Sequence, residues 1–397
     1  MAYDVERIRA LYPALQGDTV WLDGAAGTQS PTSVIEAMAE TYRSGTSNGG
    51  GVFASSQRAD DITAQARAAV ADLVGAADAT GVVLGPNMTT LTYRFAQALS
   101  QWWKPGDNIV VSELDHDANV RPWVQWAQAS RVEVRWARVD VETGELPAEQ
   151  YSGLLDERTQ LVAFTGASNV LGTRPDVRAI TDAVHSVGAL AFVDGVHSTA
   201  HGVTDVAEMG CDFYVTSAYK WDGPHVGCLI AAPGLLQQVT PFKLDSSSDE
   251  VPDRFEWGTP SYANFAGVTA AIDHLAALDN SAVGSRRDRV VASLSAAHEH
   301  EAALLDRLLA GLEAADRVTL YGRPKRRTAT VYFTVSGETA EQTATRLAAS
   351  TINAWHGHNY AWELTRALGI RDSGSAVRVS LSHYSNDDDV SRLLAAV

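Results

Sequence analysis

Short apolar runs alternate with segments of helical periodicity along the first two thirds of the chain. Segments 82–99 and 161–188 are each predicted to form a strand, a turn and a helix, and segment 108–123 begins with a strand that ends in polar residues. Two more apolar runs follow at 189–193 and 212–216. Repeated units of this kind predict an α/β fold with a doubly wound sheet, which binds its ligand at the carboxyl ends of the strands.

The rest of the chain is mainly helical and ends in shorter strands. A short amphipathic helix is predicted over 3–13, and a long helix over 283–314 carries a leucine stripe that is typical of a core face. Apolar strands near the carboxyl end predict a smaller α+β domain. We therefore divide the chain into a large domain at 18–275 and a small domain formed by 1–17 and 276–397.

The stretch 189–229 places an acid and a lysine near the ends of two neighbouring strands. Asp194 ends one apolar run, and Lys220 follows the next, behind small and polar residues and before a Gly-Pro turn. A lysine held in this way suits a Schiff base, and an acid beside it suits a pyridine nitrogen. From these residues alone, a buried aspartate and a surface lysine that never meet are an equally good interpretation.

The same stretch resembles the class V aminotransferase family of pyridoxal-phosphate (PLP) enzymes, which includes cysteine desulfurases and selenocysteine lyases. The family motifs D-G-x-Q and S-x-H-K-x-x-G-P-x-G correspond to DGVH at 194–197 and SAYKWDGPHVG at 217–227. His197 stands where desulfurases have glutamine, and Tyr219 stands where they have histidine. The resemblance extends over nearly the whole chain. It implies the PLP-dependent transferase fold type I, with a mixed, mostly parallel seven-stranded sheet and a smaller α+β carboxyl-terminal domain.

The resemblance assigns a PLP site to residues from several strand ends. Lys220 would hold the cofactor, Asp194 would keep its pyridine nitrogen protonated, and His116, within a retained A-N-x-x-P-W frame, would stack on the ring. Asn169 would bind the phenolic oxygen. The other residues expected around the cofactor are Asn87, Met88 and Thr89 at the phosphate-binding turn, with His197, Ser217 and Tyr219. Without the resemblance, residues 87–89 would be interpreted as a turn that only caps a helix.

Two further segments bear on assembly. The sequence FEWGTP resembles the family's F-E-x-G-T-P, whose threonine reaches the phosphate of the partner subunit, so Thr259 implies a homodimer with shared active sites. The glycine-rich segment 45–56 is expected to be a mobile loop beside the active site, although an ordinary surface loop fits its composition equally well. Within it, Phe53 replaces a desulfurase histidine and is expected to contact the substrate.

Near the carboxyl end the sequence departs from the desulfurases. Their R-T-G-H-H-C-A motif carries the cysteine that accepts sulfur, and the matching stretch here is WHGHNYA at 355–361. Tyr360 takes the place of the cysteine and Trp355 that of the arginine, while His358 is retained. Arg378 matches the family arginine that binds the substrate carboxylate. Because a phenol forms no persulfide, desulfuration by the family mechanism is not expected.

Together these residues predict a PLP-dependent enzyme that acts on an amino acid. Lys220, Asp194, His116 and Tyr360 are the expected catalytic residues, and Trp355 would make the pocket larger and more aromatic. We expect a C–S β-lyase that acts on a cysteine S-conjugate or a similarly bulky amino acid. Transamination, or decarboxylation with oxidative deamination, is the alternative. A cysteine desulfurase and a non-catalytic PLP-fold binding protein are further interpretations, and the near-complete cofactor site argues against the second of these.

Composition and charge narrow the class of partner. The formal net charge of −17 over 397 residues argues against nucleic-acid binding. With no apolar run long enough to span a membrane and no signal-peptide pattern at the amino terminus, a cytoplasmic protein is expected. Cys211 and Cys228 lie in apolar segments and are expected to be structural, and no metal site is predicted. The basic cluster RPKRR at 323–327 is interpreted as a solvated loop.

Overall fold

The computed structural model describes residues 3–397, which form three β-sheets joined by helices. In chain order the strands are β1 (Val20–Trp21), β2 (Val82–Gly85), β3 (Asn108–Ser112), β4 (Glu133–Ala137), β5 (Thr159–Thr165), β6 (Leu190–Asp194), β7 (Phe213–Ser217), β8 (Gly227–Ala231), β9 (Val318–Leu320), β10 (Thr330–Val335), β11 (Ile352–Asn353), β12 (Trp355–Gly357) and β13 (Ala376–Ser380). The α-helices are α1 (Val5–Arg9), α2 (Thr32–Ser44), α3 (Ala54–Val74), α4 (Met88–Leu99), α5 (Arg121–Ser130), α6 (Val177–Ser186), α7 (Val196–Ala200), α8 (Val206–Met209), α9 (Pro233–Gln238), α10 (Tyr262–Leu275), α11 (Arg286–Glu313), α12 (Ala340–Ala349), α13 (Trp362–Ala367) and α14 (Asp387–Ala396).

The largest sheet has seven strands in the order β2-β8-β7-β6-β5-β3-β4. β8 is antiparallel to both of its neighbours, and the other pairs are parallel. Successive residues of a strand point to opposite faces, so Ile109 and Phe192 pack beneath α4 and α5, while Val110 and Val193 pack beneath α3, α6 and α10. Because helices bury both faces, the five inner strands of this sheet are buried almost throughout, whereas the edge strand β4 alternates charged and apolar residues and is partly exposed. The predicted doubly wound, mostly parallel seven-stranded sheet is confirmed.

The carboxyl-terminal part contains a four-stranded antiparallel sheet in the order β12-β13-β10-β9. Its apolar cluster includes Leu308 of the leucine stripe predicted on α11. This smaller α+β unit confirms the second half of the predicted fold class. β1 pairs with β11, and Val20 packs in the same cluster, so residues 20–22 are attached to this part of the molecule. The division at residues 18 and 275 stays a prediction.

The amino-terminal helix is shorter than predicted. α1 ends at Arg9, and a separate 3-10 turn begins at Pro13, which has no N–H to continue an α-helix. Between α2 and α3, the N–H of Gly49 donates to the Tyr262 hydroxyl at 2.9 Å. The mobility expected of this segment stays a prediction.

None of the helices in residues 3–397 has the length and apolar character that a membrane crossing requires.

Candidate active site

The carboxyl ends of the parallel strands bring the predicted cofactor residues to one edge of the large sheet. β3 leads to His116, β5 leads to Asn169, β6 ends at Asp194 and β7 leads to Lys220. Together with Thr89 from the first turn of α4, these four residues line a single cavity. The interpretation in which the aspartate and the lysine never meet is therefore wrong, because parallel strands deliver both side chains to the same edge.

Lys220 lies in a 3-10 turn, Ala218–Lys220, directly after β7. The chain then turns back at Gly223, whose N–H donates to the Ala218 carbonyl at 2.9 Å. A Cβ at position 223 would lie 2.8 Å from the Ala218 Cβ, so glycine is required there. The Lys220 amine donates to the carbonyl oxygen of Ala25. Burial, together with the charge of Arg378, lowers the pKa of Lys220 to about 7. A large fraction of neutral amine near pH 7 is what a nucleophilic lysine requires.

Asp194 presents a buried carboxylate to the same cavity and is only 4 % exposed. Its Oδ1 accepts a hydrogen bond from the N–H of Val196 at 2.9 Å. Burial raises the pKa of Asp194 to about 6, although that N–H and the charge of Lys220 act in the opposite direction. A buried carboxylate of this kind gains most from a cationic partner such as a protonated ring nitrogen.

The imidazole of His116 forms one wall of the cavity. Its Nδ1 accepts a hydrogen bond from the N–H of Ala118 at 3.0 Å. Burial, with the charges of Lys220 and Arg378, lowers the pKa of His116 to about 3, so the ring is neutral. The ring of Tyr360 stacks against it, with centroids 5.2 Å apart and planes inclined by 28°. His116 therefore offers a neutral flat surface held from one side by a tyrosine.

The turn before α4 uses two of its predicted ligands for its own structure. Asn87 Oδ1 caps the helix by accepting a hydrogen bond from the N–H of Thr90 at 2.9 Å, and the N–H of Met88 donates to Ser217 Oγ at 3.0 Å. Ser217, at the end of β7, thereby ties the lysine segment to the helix. Thr89 lines the cavity at the helix terminus, where the partial positive charge favours an anion such as phosphate.

Asn169 connects the cofactor cavity to the substrate side. Its side-chain Nδ2 donates to the main-chain carbonyl oxygen of Asn359 at 2.9 Å. The main-chain carbonyl oxygen of Asn169 accepts a hydrogen bond from Arg378 Nη1 at 3.0 Å. Arg378 is 4 % exposed, and burial lowers its pKa to about 10. Among residues 3–397 this guanidinium forms no ion pair with a carboxylate. Among carboxylates, only that of the more distant Asp23 acts to raise the pKa of Arg378, and a buried guanidinium with no direct ion-pair partner is suited to binding the carboxylate of a ligand.

His197 and Tyr219, which differ from the desulfurase motifs, both line the cavity. The Nε2 of His197 lies 3.0 Å from Thr328 Oγ1 and 2.9 Å from Thr330 Oγ1, and burial holds the pKa of His197 well below its usual range. The Tyr219 ring stacks on His225, with centroids 4.7 Å apart. Both side chains are thus fixed by the protein itself and shape the cavity wall.

A cleft of about 780 Å³ opens from Lys220 towards solvent. Trp355, His358 and Tyr360 line it, and the two aromatic side chains are 50 % and 66 % exposed. The N–H of Tyr360 donates to His358 Nδ1 at 3.0 Å, and its carbonyl accepts from the N–H of Asp117 at 2.7 Å. Asn359 and Tyr360 have positive φ angles of 48° and 59°. Such backbone strain in non-glycine residues is concentrated at functional sites.

Two predicted residues lie away from this cleft within one chain. Phe53 directly precedes α3, is 55 % exposed and does not line the cavity or the cleft. Thr259 lies in a separate cavity of about 260 Å³, together with Arg94 and Trp257. The roles predicted for Phe53 and Thr259 both require a partner subunit, and they stay predictions.

Known proteins resemble this chain over almost its full length. The aminotransferase class-V family model matches residues 20–393. The chain belongs to this family. An uncharacterised protein of Mycobacterium tuberculosis is 37 % identical over 398 residues, covering 100 % of this chain and 99 % of the relative. A cysteine desulfurase of Pectobacterium carotovorum is 32 % identical over 417 residues, covering 100 % and 98 %. Among solved structures, the cysteine desulfurase CsdA of Escherichia coli superposes with a TM-score of 0.88 at 26 % identity, covering 100 % of this chain and 98 % of that one.

Class V aminotransferases use PLP, and the cavity fits this cofactor. The Oδ1 atom of Asn169 is buried and has no hydrogen-bond partner within residues 3–397, although the residue lines the cavity. A buried polar atom left in this way indicates a missing ligand. Lys220 would hold PLP, Asp194 would pair with its ring nitrogen and His116 would stack on its ring. The chain is thus a PLP-dependent enzyme.

Neither cysteine of this class V aminotransferase lines the cavity or the cleft. Cys228 lies in β8 and is fully buried, and burial raises the pKa of its thiol. Cys211 precedes β7, where burial raises its pKa to about 12. Thiols with raised pKa values are poor nucleophiles, because the thiolate is the reactive form.

A buried polar cluster behind the lysine turn escaped prediction. The Tyr12 hydroxyl lies 2.8 Å from Asp222 Oδ2, 2.7 Å from His274 Nε2 and 2.8 Å from His383 Nε2. The acid and the two imidazoles have the composition of a metal site, but the hydroxyl lies within hydrogen-bond distance of all three and joins them into a network. Because Asp222 follows Lys220 by two residues, this network anchors the turn that carries the lysine.

Proposed function

We propose that this class V aminotransferase is a C–S β-lyase that acts on a cysteine S-conjugate. The observation that carries the proposal is the composition of the cleft at Lys220, which combines an unpaired buried arginine and an aromatic wall with the absence of any cysteine among its lining residues. In the proposed reaction the conjugate and one water yield a thiol, pyruvate and ammonia. The reaction needs a base at Cα and a site for the α-carboxylate, and it needs no sulfur acceptor.

Arg378 and Lys220 supply the two required groups. Both line the cleft, so a carboxylate bound at Arg378 would hold an amino acid next to the lysine. When bound, PLP withdraws electrons from Cα and stabilises the charge left when the Cα proton is lost. The neutral amine of Lys220 accepts that proton, the freed electron pair expels the sulfur from Cβ, and the Lys220 ammonium returns the proton to the departing sulfur.

The aromatic wall supports a substrate larger than cysteine. Trp355 and Tyr360 retain half or more of their exposure, so their rings have free surface for a bulky group on sulfur. Tyr360 also lies against His116, which places its ring close to where the reaction occurs. Cysteine itself would leave much of this surface in water and would gain little binding energy from it.

Cysteine desulfuration, the activity named for the desulfurase relatives, has little support in this chain. Cys228 lies in β8 and Cys211 lies two residues before β7, and the pKa values of both thiols are raised by burial. Transamination, or decarboxylation with oxidative deamination, would use the same lysine and arginine, and no contact in the cleft favours it. We further propose that the enzyme works in the cytoplasm as a homodimer, with Thr259 serving the partner's site.

The test compares S-benzylcysteine, S-methylcysteine, cysteine and alanine as substrates of the PLP-loaded enzyme. Free thiol and pyruvate are measured in parallel. We expect equal amounts of both from S-benzylcysteine, and slower turnover of the methyl conjugate and of cysteine. A keto acid that retains the thioether would indicate transamination, and carbon dioxide would indicate decarboxylation, and either outcome would contradict the proposal.

Two arginine variants sharpen this test. Arg378→Gln should raise KM for the conjugate at least tenfold, because a charge-assisted bidentate contact is lost. Arg366→Gln is the matched control, since Arg366 is half-exposed, is paired with Glu363 at 2.9 Å and lies outside the lining of the cleft. Equal effects of the two substitutions would contradict the role of Arg378. A sedimentation experiment that finds a PLP-loaded monomer would contradict the dimer.

A further inference from the structure

The buried network around the Tyr12 hydroxyl, here called the Tyr12 network, connects the two elements on which the proposed reaction depends. Its four side chains are those of Tyr12, Asp222, His274 and His383. Asp222 follows Lys220 by two residues, and His383 follows Arg378 by five, just beyond the end of β13. His383 Nε2 lies 3.1 Å from Asp222 Oδ2, and the Tyr12 hydroxyl lies 2.8 Å from each of these atoms. The network therefore connects the lysine turn to the strand that carries the arginine.

The hydrogen-bonding capacity of a phenol matches this environment. Burial acts to raise the pKa of Asp222, but the charge and the hydrogen bond of His383 outweigh it, so the pKa is lowered and the side chain only accepts. Tyr12 therefore donates to Asp222. It accepts from the Nε2 atoms of His274 and His383, at 2.7 and 2.8 Å, which uses the full capacity of a hydroxyl. His274 Nε2 has no other partner within residues 3–397, so loss of the hydroxyl would leave this buried atom unpaired.

A second set of hydrogen bonds holds the same two elements against residues 22–28. The N–H of Ser380, the last residue of β13, donates to the carbonyl of Leu22 at 2.8 Å. The N–H of Asp222 donates to Thr28 Oγ1 at 2.7 Å. The lysine turn and β13 thus share one short segment of chain as their support, and the Tyr12 network joins them directly through side chains.

The proposed reaction requires Lys220 and Arg378 at a fixed separation. Both side chains line the cleft, where one would accept the Cα proton and the other would hold the carboxylate of the same amino acid. Because these two groups are neighbours in one small molecule, a shift of either residue alone would lose the alignment. Misplacement of a catalytic group by about 1 Å can slow a reaction about a hundredfold.

We propose that the four side chains of the Tyr12 network are positioning residues, which set the separation between Lys220 and Arg378. None of the four lines the cofactor cavity or the cleft, so they act through the turn and the strand that they connect. This role rests on the proposed function, because it requires a carboxylate at Arg378 and proton transfer at Lys220. Loss of the Tyr12 hydroxyl should therefore slow proton transfer and leave binding at the carboxylate site unchanged.

The test compares Tyr12→Phe with the natural protein, both loaded with PLP. The first probe is the carbon isostere of S-benzylcysteine, in which a methylene group replaces sulfur, so that elimination from Cβ is blocked. Deuterium exchange at its Cα, followed by NMR in heavy water, measures proton transfer at Lys220. The second probe is the same isostere without its amine, and its binding, measured by calorimetry, reports the carboxylate site alone. We expect exchange to slow about tenfold or more in Tyr12→Phe, while the dissociation constant of the amine-free acid stays within about twofold.

Tyr151→Phe is the matched control. Tyr151 is also fully buried, but its hydroxyl has no hydrogen-bond partner within residues 3–397, and the residue lines neither the cavity nor the cleft. Neither quantity should change by more than about twofold in this variant. Unaltered exchange in Tyr12→Phe would overturn the proposal, and so would equal losses of exchange and of acid binding, which indicate a general loss of structure. If Tyr12→Phe does not fold, Asp222→Asn is measured with the same expected result, because asparagine tolerates the φ of 70° at this position.

The positioning role and the lyase reaction can fail separately. A natural protein that exchanges the Cα hydrogen of the isostere but releases no thiol from S-benzylcysteine would contradict the lyase, and the exchange rate of Tyr12→Phe would still decide the positioning role. If the natural protein exchanges no hydrogen, a crystal structure of the variant decides. The lysine turn must then be displaced relative to β13, and an unchanged separation of Lys220 and Arg378 would overturn the proposal.

Discussion

Replacing Lys220 by methionine should stabilise the cofactor-free protein at low pH. The folded chain lowers the pKa of this amine from 10.5 to about 7 through burial, so the charged form is penalised on folding. The full shift corresponds to about 5 kcal/mol at 1.4 kcal/mol per pKa unit. Lys220 keeps partial contact with the cleft, and screening by water there reduces the expected penalty to about 2–4 kcal/mol.

The direction of the pH dependence follows from the two pKa values. Below pH 7 the amine is charged in both states, and the folded state bears the full cost. Between pH 7 and 10.5 the folded chain has lost a proton that the unfolded chain still holds, so the stability of the natural protein rises with pH. Above pH 10.5 the cost is gone. Lys220→Met removes the penalty but leaves the Ala25 carbonyl without its donor, which costs about 1 kcal/mol.

Thermal unfolding of the cofactor-free protein at pH 6.5 and pH 9.5 measures this effect. At pH 6.5 the Lys220→Met variant should unfold about 1–4 °C higher than the natural protein, given an unfolding entropy of about 0.8 kcal/mol/K for a chain of this length. The difference should largely disappear at pH 9.5. Lys104→Met is the control, because Lys104 is exposed and should show no such difference. An equal or lower midpoint for Lys220→Met at pH 6.5 would refute the reasoning.

Four further outcomes are expected. Borohydride reduction of the PLP-loaded protein should attach the cofactor to the peptide that contains Lys220, and a label mapped elsewhere by mass spectrometry would contradict the site. Asp194→Asn should lower kcat by about two to three orders of magnitude in steady-state assays, because one partner of a buried charge pair is lost, and near-normal turnover would sink that role. Cys211→Ala combined with Cys228→Ala should keep kcat/KM within about twofold, whereas sulfide release that depends on either thiol would point back to a desulfurase. Tyr360→Phe should change the rate or the product ratio through loss of a hydroxyl that can donate a proton, and identical kinetics would leave only a packing role.

The sequence predicted best what local patterns determine. The inner strands of the large sheet are largely apolar, and the polar residues directly after them could be placed at the sheet edge with no knowledge of packing. The resemblance to class V aminotransferases was needed to select Asp194, Lys220, His116 and Asn169 among these residues, and they do line one cavity. The pattern did not reveal whether each side chain binds a ligand or stabilises the protein's own structure. The Asn87 side chain caps α4, which composition alone does not distinguish from a ligand.

The features that escaped prediction depend on contacts between distant parts of the chain. Tyr12, Asp222, His274 and His383 share no spacing that a sequence pattern could reveal, and they meet only because four separate segments pack together. Arg327 was hidden in a run of charges that normally marks a solvated loop. Its burial arises from the bridge between residues 173 and 327, which no periodicity predicts.

The way in which the carboxyl-terminal part joins the cofactor cavity explains how the chemistry can change while the fold is kept. Asn169 Nδ2 donates to the backbone carbonyl of Asn359, Arg378 donates to the backbone carbonyl of Asn169, and the N–H of Asp117 donates to the backbone carbonyl of Tyr360. Residues 359 and 360 contribute only their main-chain carbonyl oxygens to these hydrogen bonds, and every residue has such an atom. Other side chains at these two positions would therefore leave the hydrogen bonds in place. A chain that is 32 % identical to a cysteine desulfurase can then place a tyrosine against His116 in the same framework. Because the cofactor groups come from the strand ends and the groups at the mouth of the cleft come from residues 355–378, reaction type and substrate size can vary independently of cofactor binding.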